Sequence, residues 1–273
     1  MYKRIVALFI LMFSMMLSGC AHAGGVVWQE DFSSSSQWTV DYDGHVLCPE
    51  IPTSAEDITF QSVAVDSPSG DGTAAVLIAN RAGTSGLFVN GIAHRPFELR
   101  DRSTYILRGF MAPVPNTQIE LMNVSLEIVI NGVGHYGEVL YRLNPYVTQE
   151  VDLAAYGWIY TREGVEYSPV LLYRAGDQRT WHEFALQISV DTTANIFRID
   201  RIGFDGHEVV VNVQMPHESK PEGYADVSQV FLETHNMNTN CSLEHTFQGA
   251  SIWDQITLTR YPLNEAPETI LGN

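Results

Sequence analysis

Aromatic side chains at alternating positions are the first feature of this sequence with a clear chemical use. Tyr156, Trp158 and Tyr160 are each separated by one residue, and a polar loop follows them at Thr161–Gly164. If the segment is extended, all three rings point to the same side, because successive side chains of a strand alternate between its faces. Such rings stack on pyranose sugars, so the spacing predicts a carbohydrate-binding platform. The competing interpretation is that the three rings fill the core or cap one sheet.

Basic and histidine side chains in the first half of the chain form a second chemical group. His94, Arg95, Arg100 and His135 would give a local basic patch able to bind an anionic substrate. The competing interpretation is that Arg95 and Arg100 pair with acids such as Glu98. No H-x-x-x-H, H-E-x-x-H or G-x-S-x-G sequence occurs, so zinc-protease and serine-hydrolase chemistry have no support.

The charge balance limits the classes of partner. The formal net charge is −17, and Lys220 is the only lysine after Lys3. A chain this acidic repels nucleic acid and bare anionic lipid, whereas neutral glycans, cations and basic proteins are compatible with it. Acidity is also common in exported proteins that bind no ion, so we interpret the charge mainly as solubility.

Strand patterns dominate the body of the chain. Over His182–Val190, and again over Ser125–Asn131, apolar and mostly polar residues alternate, as in strands with one buried face. Asn131-Gly132 and Asp205-Gly206 are typical of turns, and the second, between two strand patterns, predicts a tight hairpin. No long segment has a clean 3.6-residue period. The pattern predicts an all-β fold of antiparallel strands, arranged as a sandwich or barrel.

The N-terminus has the layout of an export signal. Lys3 and Arg4 precede an apolar run over Ile5–Leu17, which is shorter than the ~20 residues of a membrane-spanning helix. Leu17-Ser18-Gly19-Cys20 resembles the lipobox of bacterial lipoproteins, which implies cleavage before Cys20 and lipidation of its thiol. By the same resemblance, Ala21 after the cysteine favours the outer membrane, with palmitate or another acyl chain as the anchor. An ordinary signal peptide cleaved after Ala23 is the alternative.

Two cysteines remain if Cys20 carries lipid. Export would bring Cys48 and Cys241 into an oxidising compartment, where a pair tends to form a disulfide. Such a bond would close a loop of nearly the whole domain, worth about 5 kcal/mol in the chain-entropy model. Two buried free thiols are the alternative.

Four segments together are similar to the concanavalin A-like lectin and glucanase jelly rolls. Their order is an E-D-F strand near the start, a W-H-x-F strand, an F-D-G hairpin and a closing W-D-x-I strand, found here at 28–32, 181–184, 204–206 and 253–256. The resemblance implies an antiparallel β-sandwich over residues 26–262. Residues 1–19 are then the signal peptide, 20–25 a short tether, and 263–273 a loose C-terminal tail.

The resemblance also raises enzymatic alternatives. Glucanases of this superfamily carry E-x-D-x-E or E-x-D-x-x-E on one strand, but Glu120 and Glu127 are an odd number of residues apart, which puts them on opposite faces. Alginate lyases of the fold carry R-x-E-L-R and Y-x-K-A-G motifs, which Arg95–Arg100 and Tyr173–Gly176 match in part. A lyase would therefore use Arg95, Arg100, His135 and Tyr173.

A structural calcium ion is a further implication of the resemblance. Many jelly-roll modules hold Ca²⁺ where the first and last strands meet, and Glu30, Asp31 and Asp254 could supply its oxygen ligands there. Asp254 shares strand parity with Ile256, which places it on the core side, where a carboxylate needs a partner. Hydrogen bonds from backbone N–H groups, or an arginine, are the alternative to a metal.

Together these features predict a lipid-anchored envelope protein with one β-sandwich domain. We expect it to bind a carbohydrate or another surface ligand without catalysis. The alternatives are a polysaccharide lyase or glycoside hydrolase with a divergent site, and a structural or adhesion lipoprotein that contacts another envelope protein.

Overall fold

The computed structural model describes residues 24–33, 37–43, 58–81, 88–114, 121–142, 153–157, 170–175, 181–215, 217–219, 227–237 and 247–271. Within these ranges the chain forms sixteen strands and no helix. It follows that no helix there is long and apolar enough to cross a membrane. The strands, in chain order, are β1 Gly25–Glu30, β2 Thr39–Asp43, β3 Ile58–Ala64, β4 Thr73–Arg81, β5 Phe88–Phe97, β6 Ser103–Pro113, β7 Leu121–Ile130, β8 Val133–Arg142, β9 Leu153–Gly157, β10 Val170–Ala175, β11 His182–Asp191, β12 Ile196–Phe204, β13 His207–Gln214, β14 His217–Ser219, β15 Ser228–Met237 and β16 Phe247–Pro262.

The strands form two eight-stranded sheets. Sheet I has the order β13-β12-β11-β6-β16-β4-β3, with β1 also paired to β16. Sheet II has the order β10-β9-β8-β7-β15-β5-β2, with β14 paired to β8. Every strand pairing among the described residues is antiparallel.

The core lies between the two sheets. In sheet I, Leu107 of β6 is opposite Leu186 of β11 and Leu258 of β16. In sheet II, Leu126 of β7 is opposite Val230 of β15. All five side chains are fully buried in one cluster, so the sheets pack face to face. Burying each leucine contributes roughly 1.5–3 kcal/mol. The predicted antiparallel β-sandwich is therefore confirmed.

The alternating patterns and the turn signals gave correct local predictions. The inward residues of β11 are the apolar half of the His182–Val190 pattern, and all of them are fully buried. Asp205 and Gly206 both have positive φ, 45° and 78°, and join β12 to β13 as a tight hairpin. Asn131-Gly132 joins β7 to β8 in the same way. These pairs suit the turns because asparagine, aspartate and glycine tolerate left-handed backbone.

Strand β16 contains a bulge that changes the position of Asp254. The pairing of β16 with β6 shifts between Asp254 and Thr257, and Gln255 between them has a φ of 50°. An extra residue in a strand reverses the faces to which the later residues point. Trp253 and Ile256 therefore both point into the core, and Asp254 lies on the outer face. The prediction from parity that Asp254 points to the core side is wrong for this reason.

The C-terminal segment after β16 packs against sheet I. Ile270 and Leu271 are buried against Ile106 and Ala185 on the outer face of the sheet. Glu208 of β13 accepts hydrogen bonds from the backbone N–H groups of residues 270 and 271, both at 2.8 Å. The expectation of a loose tail is wrong over this stretch, because an apolar pair at its end finds an apolar patch on the sheet.

Candidate functional site

The outer face of sheet II carries a row of polar side chains on its central strand β7. Val124, Leu126 and Ile128 of this strand point into the core. The alternate residues Asn123, Ser125 and Glu127 therefore point away from it. Outward side chains of a two-sheet sandwich are normally solvated, yet these three are only 4%, 4% and 0% exposed. The strand thus holds a carboxylate, a hydroxyl and an amide in a sheltered row.

The neighbouring strands add more hydrogen-bonding groups to this row. On β15, Gln229 lies opposite Glu127, Phe231 opposite Ser125, and Glu233 opposite Asn123. On β5, His94 lies opposite Phe231. We call this set the polar face; its members are His94, Asn123, Ser125, Glu127, Gln229, Phe231 and Glu233.

Hydrogen bonds hold the carboxylates of the polar face in place. The Gln229 amide donates through Nε2 to Glu127 Oε2 at 2.9 Å, and its Oε1 lies 2.9 Å from His94 Nδ1. Because that oxygen can only accept, His94 must carry a proton on Nδ1. The Ser125 hydroxyl donates to Glu233 Oε1 at 3.2 Å. Histidine, amide and carboxylate thus form one connected chain.

An aromatic surface lies beside these groups. The rings of Phe231 and His94 are 6.0 Å apart between centroids and tilted by 32°. Both residues are partly exposed, unlike the acids of β7. An accessible ring next to fixed acceptors matches the composition of sugar sites, where rings pack on the apolar side of a pyranose and acids bind its hydroxyls.

Two carboxylates share the polar face. Glu233 reaches Ser125, and Ser125 is two residues from Glu127 on the same side of one strand, about 7 Å along it. The two acids therefore lie on the same face of neighbouring strands, with Ser125 between them. The arrangement is chemically capable of binding sugar hydroxyls and of acid–base work.

The polar residues of this row are visible in the sequence, but the sequence alone did not predict them as a site. The acid pair considered from the sequence is Glu120 and Glu127, and residue 120 lies outside the described residues. The polar residues at 123, 125 and 127 alternate with the apolar residues that predict the strand. Their parity is visible in the sequence, whereas their burial and their partners on β15 depend on pairing across about 100 residues.

The residues predicted for a lyase do not come together in the described structure. Arg95 is opposite the inward Val230, so it lies on the core side of sheet II. His135 is also inward and stacks on Phe197 of sheet I, with ring centroids 3.7 Å apart. Arg100 is exposed beyond the end of β5 and pairs with Glu98 at 3.0 Å. The side chain of Tyr173 lies outside the description.

The Arg95 side chain is nearly buried and is held by neighbouring side chains. Its guanidinium donates to Glu30 Oε2 at 2.9 Å, also donates to Gln37, and lies 4.5 Å from the centre of the Trp28 ring. The side chains of Arg95 and Glu30 are only 13% and 9% exposed. Burial lowers the pKa of Arg95, the Glu30 carboxylate opposes this shift, and the group stays charged because arginine titrates far above neutral pH.

The three predicted calcium ligands have separate protein partners. Glu30 accepts from Phe32 N–H and from Arg95. Asp31 accepts from Ser33 N–H at 3.0 Å, a bond that lowers its pKa. Asp254 accepts from the N–H groups of residues 69 and 255 at 2.9 and 2.8 Å. No three acidic, histidine or cysteine side chains group as a metal site among the described residues. The calcium site stays a prediction.

Several predicted positions lie outside the described residues. They include Cys20, both members of the predicted disulfide at 48 and 241, and the rings of Trp158 and Tyr160. The backbone of Tyr156 belongs to β9, which is extended as the platform hypothesis requires. The aromatic platform and the disulfide stay predictions.

Comparison with known proteins gives structural matches only. No family model matches the sequence, and no curated protein matches it. A GH16 protein of a Bacteroides ovatus mixed-linkage glucan locus, solved with a product, is similar with TM-score 0.46 and 11% identity, over 85% of this chain and 99% of that one. A β-1,3-glucanase from Mycobacterium marinum is similar with TM-score 0.42 and 12% identity, over 88% and 100%. An alginate lyase is similar with TM-score 0.39 and 12% identity, over 69% and 80%. At these values the likeness carries no inference about substrate.

Proposed function

We propose that this protein is a lipid-anchored envelope protein that binds carbohydrate on the polar face of sheet II. The observation that supports this most is the sheltered carboxylate of Glu127, held by Gln229 beside a partly exposed aromatic pair. Fixed acceptors of this kind bind sugar hydroxyls without needing to be ordered first. The acidic surface of the chain is compatible with a neutral glycan.

A glycan array on the full chain, extracted in a polyoxyethylene detergent, tests the binding proposal. We expect saturable binding to at least one neutral glycan. Glu233→Gln should weaken it at least tenfold, because Glu233 is the partly exposed carboxylate of the face and a hydrogen bond to a charged group contributes about 1.5–3 kcal/mol. Glu268→Gln is the matched control, since Glu268 is exposed in the segment after β16, which packs on sheet I and not on the polar face. Equal losses in both variants, or no bound glycan, would contradict the proposal.

Hydrolysis is the second candidate, and one observation favours it. Glu127 and Glu233 lie on one face with Ser125 between them, and two carboxylates are the residue set that most glycoside hydrolases use. Release of reducing ends from the bound glycan, abolished separately by Glu127→Gln and Glu233→Gln, would establish a glycoside hydrolase. If the glycan binds but no reducing ends are released, the polar face is a binding site without hydrolase activity. Unsaturated products absorbing in the ultraviolet would instead indicate a lyase.

The lipid anchor at Cys20 is proposed from the sequence and is tested independently. Metabolic labelling with a fatty-acid probe should mark the wild-type protein and should be lost in Cys20→Ser. Label that persists in the variant would refute the anchor. The same cell fractions would show whether the protein reaches the outer membrane.

A further inference from the structure

An arginine-lined cleft opens at the end of the sandwich where β1 begins. Its volume is about 590 Å³, and its lining includes Gly25, Arg100, Asp101, Arg102 and Arg260. Arg260 comes from β16 of sheet I, whereas Arg100 follows β5 of sheet II. Three arginines therefore line one cleft, in a chain with only 15 lysines and arginines against 32 acids.

The arginines of this cleft are unevenly neutralised. Arg100 pairs with Glu98 at 3.0 Å. The salt bridges among the described residues do not include Arg102 or Arg260. Asp101 also lines the cleft, but it accepts the Thr192 N–H at 2.8 Å, a bond that lowers its pKa. Within the described part of the chain, Arg102 and Arg260 therefore have donors to offer to a ligand, and the charge of Arg102 interacts with the carboxylate of Asp101.

The turn that carries the arginines is fixed from both sides. Tyr105 Oη accepts the Arg100 N–H at 2.6 Å and donates to the Arg100 carbonyl at 3.3 Å. The Arg102 carbonyl accepts the Leu263 N–H at 2.9 Å, and Arg102 has a φ of 51°, rare for this residue type. The backbone of the turn is therefore fixed before any ligand arrives, which lowers the entropic cost of binding.

The surroundings of the cleft match a lipid–water boundary. Gly25 of the cleft lining is followed by Val26 and Val27, which are 60% and 36% exposed. Exposed apolar side chains beside arginines are typical of surfaces that rest on lipid headgroups. Cys20 is five residues from Gly25, a span of at most about 18 Å.

We propose that the cleft binds a phosphate group, supplied by a phospholipid headgroup of the membrane that carries the Cys20 anchor. Guanidinium groups bind phosphate through paired charged hydrogen bonds. The headgroup as source rests on the proposed lipid anchor, whereas the phosphate site itself does not. The net negative charge of the rest of the chain would be repelled by anionic lipid, so this local positive cleft would orient the domain with its β1 end toward the bilayer.

Calorimetric titration of the full chain in polyoxyethylene detergent tests the proposal with three probes. They are dihexanoyl phosphatidylglycerol, dihexanoyl phosphatidylcholine and inorganic phosphate. We expect saturable binding of phosphatidylglycerol, weaker binding of phosphatidylcholine, and at least tenfold loss in the Arg102→Gln/Arg260→Gln variant. Arg260→Gln alone serves if the double variant melts early. Arg108→Gln is the charge-matched control for Arg260→Gln, because Arg108 is exposed on the outer face of sheet I.

Each result has a defined meaning. Saturation by inorganic phosphate but not by phosphatidylglycerol would support the site and assign it to a free anion. No saturation by any probe, or an equal loss in Arg108→Gln, would overturn it. If the fatty-acid probe does not label Cys20 but phosphate still binds, the lipid anchor is refuted and the phosphate site in the cleft stands.

Discussion

Replacing Arg95 by methionine tests whether this residue stabilises the fold or acts on substrate. Methionine keeps much of the apolar stem but removes the guanidinium. That group pairs with Glu30 at 2.9 Å and lies 4.5 Å from the centre of the Trp28 ring. The Glu30 carboxylate, with its side chain 9% exposed, would then be buried with only the Phe32 N–H as a partner.

The expected loss of stability is large. Removing one member of a buried ion pair costs about 3–5 kcal/mol, because the other charge stays buried. In a domain of this size each kcal/mol lowers Tm by about 2–4 °C, so Tm should fall by roughly 6–20 °C. Glu30→Gln added to Arg95→Met should recover part of this loss, because no buried charge is then left uncompensated.

Thermal melting and urea unfolding of the full chain measure the effect. Arg100→Met is the control, because the Arg100–Glu98 pair is 57% and 75% exposed and such pairs contribute about 0–1 kcal/mol. Equal Tm values for Arg95→Met and wild type would refute the structural role. Loss of activity on a uronate polymer with unchanged Tm would instead support the lyase hypothesis.

Three further predictions concern other parts of the molecule. Glu208→Ala should speed amide exchange at Leu271 at least tenfold, since that carboxylate holds the tail; unchanged exchange would contradict the docking. Hydrogen bonds from Thr73 and Ser69 lower the pKa of Asp71, so its stabilisation is present above the ordinary value of 3.8 and is lost as pH falls through the lowered pKa. Asp71→Asn should therefore make the loss of stability with falling pH less steep below about pH 4. An identical pH dependence of stability in wild type and variant would contradict this. Non-reducing peptide mapping should link Cys48 to Cys241; two free thiols in exported protein would exclude the bond.

Local pattern was sufficient to predict much of the sandwich. The alternation over His182–Val190 identifies a strand and its buried face, because burial of one face imposes the two-residue period. Asp205-Gly206 identifies a hairpin because its backbone needs positive φ. Both signals lie within a few residues of the structure that they predict.

Long-range features were not predictable in the same way. The outward position of Asp254 depends on a bulge at Gln255, which no alternating pattern marks. Arg95 was placed in a basic surface patch because arginine is mostly exposed, but its partner Glu30 lies 65 residues away on β1. Glu127 gains its role only when β15 aligns Gln229 beside it. Each case requires the pairing of distant strands.

The two proposed sites occupy geometrically independent parts of the sandwich. The arginine cleft is at the strand ends, beside Gly25 where β1 begins. The polar face lies along the middle of β7 and β15, on the outside of sheet II. Because a sheet face runs parallel to its strands, a domain resting on its β1 end would present the face sideways to the membrane. The cleft can therefore contact headgroups while Phe231 and His94, which are partly exposed on the polar face, stay open to a glycan. Variants at one site should then leave binding at the other unchanged.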